Sequence, residues 1–464
     1  VGASMRYTGI MPPVPHPLLM ARDSKAISGE HVSLLAVPIP VVASVEGGGK
    51  WPKKADAIMK VKLALLLRIA EQLKKQFDIK AVPHEETLDI LFGGYIFRLS
   101  LRSSLEVERV IIDENPFSRV PLPRKLLEKM ELDALHVNNI RSLQSQHNSF
   151  GPTVRLLSSW LCGHNLSGLL SDKILELVVA SVYVQHGTLA PSSSSAGLHK
   201  ALTRLATFDW ENSPLLVDFG NDIDQAAVMR INTHFRRTRE KNKSDVAMFI
   251  VSSCDKFFDY EPCLAAQATN RLVLNIIRGK AAASLRLFTA WLQDATVDDF
   301  QSVKSFMGSS DLLEGCDIIL HFSNALVNRK AVQHYGNDFL KYHSQGPNFA
   351  RLRIFANLSE KELSTENLVV VEGAQNPLHE SIVDNLRLAF GDIALFFWNS
   401  KSATKVGVMW RPKHFMASKF SVLTSRHNVV VEGSSSPLAT KNCAEIIQEM
   451  IKLSKGLIET VDFK

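Results

Sequence analysis

The apolar pattern of this chain predicts an α/β (α+β) protein of several domains, on three observations. An N-terminal stretch alternates strand-like runs with one long amphipathic helix. Residues 148–221 read as three helices followed by a strand. Near the C-terminus a helix leads into two strand-like runs separated by a short polar loop. At 464 residues the chain has room for two to four domains.

The elements follow in order. Residues 1–30 are Pro-rich and irregular, as in a linker. Residues 34–46 read as strand, with Pro38 and Pro40 arguing for an edge or a bulge. After Gly47-Gly48-Gly49, residues 56–77 form a predicted helix with Ile58, Val61, Leu65, Leu66, Ile69 and Leu73 on its inner face. Residues 88–92 and 95–101 read as strands around Gly93-Gly94, and residues 126–135 as a helix, with a boundary expected near 139. In the three-helix stretch, Val154, Leu157, Trp160 and Leu161 share one face of residues 153–164. The helix over 172–185 is apolar on both sides (Ile174, Leu177, Val178 and Val182 against Leu175, Val179 and Tyr183), which predicts burial inside a helical layer. A Pro-Ser tract, 191–195, precedes a third helix with Leu198, Ala201, Leu202 and Leu205. It ends in Phe208-Asp209-Trp210 and the stop Asn212-Ser213-Pro214 before the strand Leu215-Leu216-Val217. Further on, helices are expected at 224–242 and 270–292 and a strand at 246–252. A third domain is expected from about 305, with strands at 317–322 and 368–372 and a helix at 379–390 stopped by Gly391. A hairpin of 393–398 with 405–410 follows, and a helix over 440–457 closes the chain.

Composition narrows the class. Apolar residues make up 45% and charged residues 22%, which favours packed domains over disorder. The formal net charge of +6 allows an RNA or other phosphate-rich partner without requiring one. Five widely spaced cysteines form neither a zinc motif nor a disulfide framework and favour a reducing compartment. No run has the length of a membrane span and no signal segment opens the chain, whose first residue, Val1, is expected of a fragment.

Three segments carry a resemblance. The order Arg155…Trp160, then 175–183, then 198–210 looks like the helical domain of poly(A) polymerases and oligoadenylate synthetases. With its Phe-Asp-Trp…Asn-Ser-Pro-Leu ending it more closely resembles the nucleolar RNA-associated protein (Nrap) family. Gly49-Lys50-Trp51-Pro52 with Gly94-Tyr95-Ile96-Phe97-Arg98 supports this, as does Phe390-Gly391-Asp392-Ile393-Ala394-Leu395-Phe396-Phe397 with Val406-Gly407-Val408-Met409-Trp410-Arg411-Pro412. The resemblance spans nearly the whole chain and corresponds to the C-terminal half of family members. It implies a degenerate nucleotidyltransferase-like domain over 1–139, a poly(A) polymerase/oligoadenylate synthetase-like domain over 140–304 and an Nrap-type α/β domain over 305–464. It further implies a nuclear, nucleolar scaffold of the small-subunit processome. Its partners would be pre-ribosomal RNA, the U3 small nucleolar RNA complex and a ribosomal-RNA-processing protein, with no membrane and no cofactor.

A live nucleotidyltransferase is the alternative, and it makes a demand on the residues. It needs a Gly-Gly or Gly-Ser turn opening a helix, two carboxylates two residues apart on one strand face, and a third on a neighbouring strand, to hold two magnesium ions. Gly93-Gly94 with Glu106-Val107-Glu108 has the spacing, but the turn leads into a strand. Gly308-Ser309 is followed by Asp317-Ile318-Ile319, which lacks the second carboxylate. Asp222-Ile223-Asp224 sits at a predicted helix start, where capping explains it. Glu46 alone could be a leftover third carboxylate. No triad is expected, and no P-loop, nucleophile elbow or His-Glu-x-x-His is present.

The candidate contacts with RNA are basic clusters. The densest runs from His234 to Lys243 and includes Arg236, Arg237, Arg239, Lys241 and Lys243. It can be read as cations favouring a helix C-terminus, or as phosphate contact or a nuclear-import signal. Lys50, Trp51, Lys53 and Lys54 form a second cluster. Arg411, Lys413, His414 and Lys419 with Trp410 and Phe415 form a third, where interleaved aromatics could stack on bases or simply belong to strand edges.

Overall fold

In the computed structural model the residues described are 4–10, 32–35, 39–46, 52, 55–84, 86–92, 95–102, 124–184, 190–241, 247–258, 260, 270–293, 306, 308, 313, 315–323, 331–335, 369–371, 378–402, 404–412, 415–416, 418–419, 428–430, 438–454 and 457–463. The chain divides into two compact units, one of residues 1–11, 42–58 and 102–311, the other of 12–41, 59–101 and 312–464. Helices and strands alternate as an α/β protein requires.

The N-terminal elements are β1 (Ser4–Ile10), β2 (Val32–Leu35), β3 (Ile39–Glu46), helix α1 (Ala55–Phe77), β4 (Lys80–Pro83), β5 (Thr87–Phe92) and β6 (Tyr95–Arg102). The strand expected over 34–46 is broken at 36–38, beside Pro38, into β2 and β3. On α1, Ile58 and Leu66 are buried as expected, but Val61 is more than a third exposed: it lies at the rim of the apolar stripe. β4, β5 and β6 form an antiparallel meander. The Ser100 hydroxyl of β6 donates to the Val41 carbonyl of β3, 3.3 Å away.

The middle of the chain holds α2 (Arg124–Gln146), α3 (Phe150–Gly163), α4 (Asp172–Val184), α5 (Ser194–Thr207), β7 (Leu215–Val217), α6 (Gln225–Lys241), β8 (Ile250–Ser252) and α7 (Arg271–Gln293). The helix expected to stop at Leu135 runs on to Gln146, so position 139 lies inside α2. On α4, Ile174, Leu175 and every residue from Leu177 to Tyr183 are buried, as its two apolar sides predicted. Helices α2, α3 and α5 and strand β7 pack around it. Its polar tip is satisfied internally: Tyr183 OH lies 2.9 Å from Thr153 Oγ1 and donates to Ser149 Oγ at 3.0 Å. Gly197 lets α5 come this close, since a Cβ there would fall 2.2 Å from Thr153 Oγ1. Helix α5 starts within the Pro-Ser tract because Ser193 caps it, accepting from the Ala196 amide at 3.2 Å. The aromatic corner then turns the chain: Trp210 is buried, donates from Nε1 to the Leu205 carbonyl at 3.2 Å, and packs edge-on to Phe208. β7 and β8 pair in parallel, with α6 as the crossover.

The C-terminal elements are β9 (Ile318–Phe322), β10 (Ala331–Tyr335), β11 (Val369–Val371), α8 (Leu378–Phe390), β12 (Ala394–Trp398), β13 (Lys405–Trp410), β14 (Ser418–Lys419), β15 (Asn428–Val430), β16 (Leu438–Lys441), α9 (Cys443–Leu453) and β17 (Ile458–Phe463). An antiparallel sheet of order β12-β13-β9-β17 shares one apolar core with α8 and α9, built on Leu320, Phe396, Val406, Val408, Val383, Leu386, Ile446 and Met450. The expected hairpin pairs Ala394 with Trp410 and Trp398 with Val406. Gly391 ends α8 as expected, without left-handed backbone: its amide closes the last turn on the Arg387 carbonyl at 2.7 Å. A Cβ there would fall 2.3 Å from that oxygen. The closing helix is shorter than the 440–457 expected. Thr440 and Lys441 belong to β16, Asn442 caps α9 by accepting from the Ala444 and Glu445 amides, and β17 follows. Among the described residues, no helix is long and apolar enough to cross a membrane.

One buried ion pair locks the N-terminal meander. Asp89 on β5 lies directly opposite Arg98 on β6 and is fully buried. The guanidinium grips it at both oxygens, Nε to Oδ1 at 2.7 Å and Nη2 to Oδ2 at 2.8 Å, and His84 Nε2 lies 2.9 Å from Oδ2. Burial alone pushes the Asp89 carboxyl up, but the hydrogen bonds from Arg98 and then His84 outweigh it and hold the group well below the usual carboxylate range. Its folded value is therefore depressed. The stabilisation is full above the ordinary carboxylate value and drains away as pH falls below it. Asp89→Asn is expected to lower the unfolding free energy by about 3 kcal/mol at neutral pH, at the low end for a buried pair because Arg98 keeps a quarter of its side chain exposed. Urea unfolding of both proteins should show that difference shrinking by about pH 3.

Candidate nucleic-acid interface

The carboxylates that imitate a catalytic set each have a local structural task. Asp224 caps α6, its Oδ1 accepting from the Ala227 amide at 2.7 Å. The loop before it is held by Asp218, which accepts from the amides of Asp222 and Ile223 at 2.9 and 3.0 Å. Asp222 is exposed and sits in that turn, not on a strand. Asp317 accepts from the Trp410 amide at 2.7 Å and so helps hold β13 beside β9. Gly93-Gly94 joins β5 to β6, whose register pairs Phe92 with Tyr95, so this turn opens a strand. Glu106, Glu108, Ser309 and the Glu46 side chain lie outside the described residues.

The basic run is divided by its helix. Ala227, Ile231 and Phe235 put one face of α6 into a small core with Phe249, Val251 and Tyr260. That fixes the rotation of the helix, and Arg236 and Arg237 emerge on the exposed side. Arg239 turns inward instead. Its Nη2 donates to the carbonyls of Trp210 and Ala247 at 2.7 and 3.1 Å, and its guanidinium lies 5.0 Å from the centre of the Phe235 ring. Burial, then the nearby Arg271, lowers its pKa. Of the five cations proposed in this run, Arg239 thus serves the fold. Lys241 ends α6, and its side chain and Lys243 lie outside the described residues. The sequence reading passed over Arg230, seven residues before Arg237 and therefore on nearly the same face of α6. It is exposed and lies 5.7 Å from the centre of the Tyr260 ring. The seven-residue spacing was the available signal.

The other clusters come together less. Lys50, Trp51, Lys53, Lys54, Lys413 and His414 lie outside the described residues. Arg411 is half-buried after β13, its amide bonded to the Ile393 carbonyl at 2.9 Å. Trp410 and Phe415 pack on each other with ring centres 5.2 Å apart and lean on the C-terminal core. These aromatics are engaged in the fold rather than displayed for stacking. No cysteine here is a reactive thiol candidate: burial pushes Cys254 up to about 11, and Asn139 donates to its sulfur at 3.1 Å.

Comparison with known proteins agrees with this arrangement. Three domain models of one family match in succession: the Nrap protein nucleotidyltransferase domain 4 over residues 1–128, the Nrap protein PAP/OAS1-like domain 5 over 147–307, and Nrap protein domain 6 over 313–461. The chain belongs to the Nrap family, as its three motif segments implied, and a nucleolar location goes with that membership. It is similar to Nucleolar protein 6 of Xenopus tropicalis, 26% identical over 99% of this chain and 39% of that protein. It is likewise 26% identical to Nucleolar protein 6 of Homo sapiens, again over 99% of this chain and 39% of the relative, and 27% identical to that of Drosophila willistoni over 90% and 32%. The chain spans about two fifths of the length of the vertebrate relatives. A solved chain from the E. coli MS115-1 CdnC:HORMA-deltaN complex matches 58% of this chain and 76% of its own, at 14% identity and a TM-score of 0.33, a likeness too loose to carry an argument.

The two kinds of arginine on α6 should behave differently in stability measurements. Arg239→Ala is expected to cost about 2 kcal/mol, since it removes charge-assisted bonds to two carbonyls. Arg236→Ala/Arg237→Ala is expected to change thermal unfolding by less than about 0.5 kcal/mol per site. Equal losses from the two variants would contradict the division.

Proposed function

We propose that this chain is a non-catalytic scaffold within the nucleolar, ribosome-biogenesis role of its family: a nucleotidyltransferase-like pseudoenzyme kept for its surfaces. The domains are proposed at 1–139, 140–304 and 305–464, an order supported by the succession of matched family models. The partners proposed are pre-ribosomal RNA, the U3 small nucleolar RNA complex in the small-subunit processome, and a ribosomal-RNA-processing protein. The exposed pair Arg236 and Arg237 is proposed to touch RNA phosphates, with Lys50, Trp51, Lys241, Lys243, Arg411 and Lys413 as further candidates.

The observation that carries the reading is the employment of the acidic residues. Metal-dependent nucleotidyl transfer needs carboxylates that converge with their oxygens free to share two cations. Asp224 and Asp317 instead hold backbone amides, Asp222 sits in a turn before a helix, and the Gly-Gly turn connects two strands. The competing reading, an active template-independent RNA nucleotidyltransferase, rests on Glu106 and Glu108.

Nucleotide incorporation into a short RNA with magnesium or manganese, run beside Glu106→Gln/Glu108→Gln, separates the two. The expected result is no incorporation by either protein. Incorporation that the double substitution abolishes would restore an enzyme and end the scaffold reading.

A further inference from the structure

The helical bundle segregates its charge, and it does so away from the basic run. Helix α5 packs against α3 on one side and α7 on the other. The sequences of these three helices contain Arg155 on α3, Lys200 and Arg204 on α5, and Arg271, Arg278, Lys280 and Arg286 on α7. They contain no aspartate or glutamate. The whole chain has 53 basic against 47 acidic residues, so an even draw would have given these helices nearly as many acids as bases. The acids of the bundle lie on the neighbouring helix α4 and are used inward: Glu176 lies 2.7 Å from His136 of α2, and Lys173 of α4 pairs with Asp133 of α2.

Helix α7 concentrates the effect. Val273, Leu274, Ile277, Ala281 and Ser284 face the bundle, which turns Asn275, Gly279, Ala283 and Arg286 to solvent, with Lys280 exposed at the flank. Among the described residues, neither Lys280 nor Arg286 has a carboxylate partner, whereas Arg271 lies 3.4 Å from Glu211. Gly279 adds an independent observation. A mid-helix glycine is unfavourable relative to alanine, and internal crowding is the usual reason to keep one. Here a Cβ would meet nothing within 4 Å. No neighbour in the fold requires the glycine, and its outer side is a shallow trough bordered by Arg278, Lys280 and Arg286.

We propose that the outer face of α7, centred on Gly279 with Lys280 and Arg286, is a binding site for the sugar-phosphate backbone of RNA. The inference deepens the scaffold reading above and rests on its RNA-binding part. A cationic face without carboxylates suits a polyanion, because each phosphate neutralised releases a condensed counterion. The small side chains suit a ligand that must come close along its length rather than insert a side chain into a pocket.

The test measures binding of the whole chain to a short labelled single-stranded RNA across a salt series, beside Lys280→Gln/Arg286→Gln, Gly279→Gln and Arg236→Ala/Arg237→Ala, with thermal unfolding of each. Lys280→Gln/Arg286→Gln is expected to weaken binding roughly tenfold at moderate salt and to flatten the slope of log K against log salt by about two, with unfolding unchanged. Gly279→Gln is expected to weaken binding while leaving the protein at least as heat-stable. If RNA binds wild type and both α7 variants equally, and only Arg236→Ala/Arg237→Ala weakens it, the α7 site is wrong and the scaffold reading stands. If the wild-type chain binds no RNA at any salt, the RNA part of that reading falls and takes this site with it. If poly-glutamate binds more tightly than RNA and loses its affinity in the α7 variants, the face serves an acidic protein partner and the RNA assignment is overturned.

Discussion

Helix α4 has no side that water can wet, and the middle of the protein is arranged around that fact. A helix apolar all round must be enclosed, so α2, α3, α5 and β7 are drawn to it from different directions. Enclosure then dictates where polar groups go. The Tyr183 hydroxyl finds Thr153 and Ser149 inside the bundle, and α5 approaches near enough to satisfy that arrangement only because Gly197 has no side chain. With α4 wrapped, the outer helices have one buried face each and are free to carry charge on the other.

The same economy appears in the acidic residues. Asp89 is neutralised by Arg98 across a strand pair, Asp224 is a helix cap, and Asp317 anchors an amide of β13. Each occupies a place where a carboxylate might have gathered metal ions, and each is instead wired into secondary structure. What distinguishes the fold from an enzyme's is therefore the bonding of its acids and not their number. The surface left over is a surface of arginines and lysines on helices, suited to long polyanions rather than to a small substrate in a cleft.

Much of this was legible in the sequence because it depended on local periodicity. The two-sided apolar pattern of α4, the hairpin β12-β13, the aromatic corner at Trp210 and the capping role of Asp224 all follow from residues within one or two turns of each other. What was missed depends on distant partners. Strand β17 reads Ile-Glu-Thr-Val-Asp-Phe and becomes a strand by pairing with β9, more than a hundred residues earlier. Strand β4 is short and found its place only beside β5. Arg239 belongs to a basic run by composition, and only the positions of Trp210 and Ala247 show that it faces inward. The cations of α7 are spaced along a helix and never form a dense run, so a search for runs passes over them.

Arg239 also bears on how the middle region comes together as the chain folds. Parallel strands β7 and β8 cannot meet through a tight turn, so the chain between them must be gathered into a closed loop before either strand gains a partner. Gathering that loop carries an entropy penalty. One guanidinium on α6 bonds a carbonyl just ahead of β7 and another just ahead of β8. It fastens both ends of the loop to the crossover helix at once. The strand pair and the orientation of α6 are thus established in a single cooperative event, and Arg236 and Arg237 reach the surface in a fixed direction because their neighbour two residues on has closed the loop beneath them.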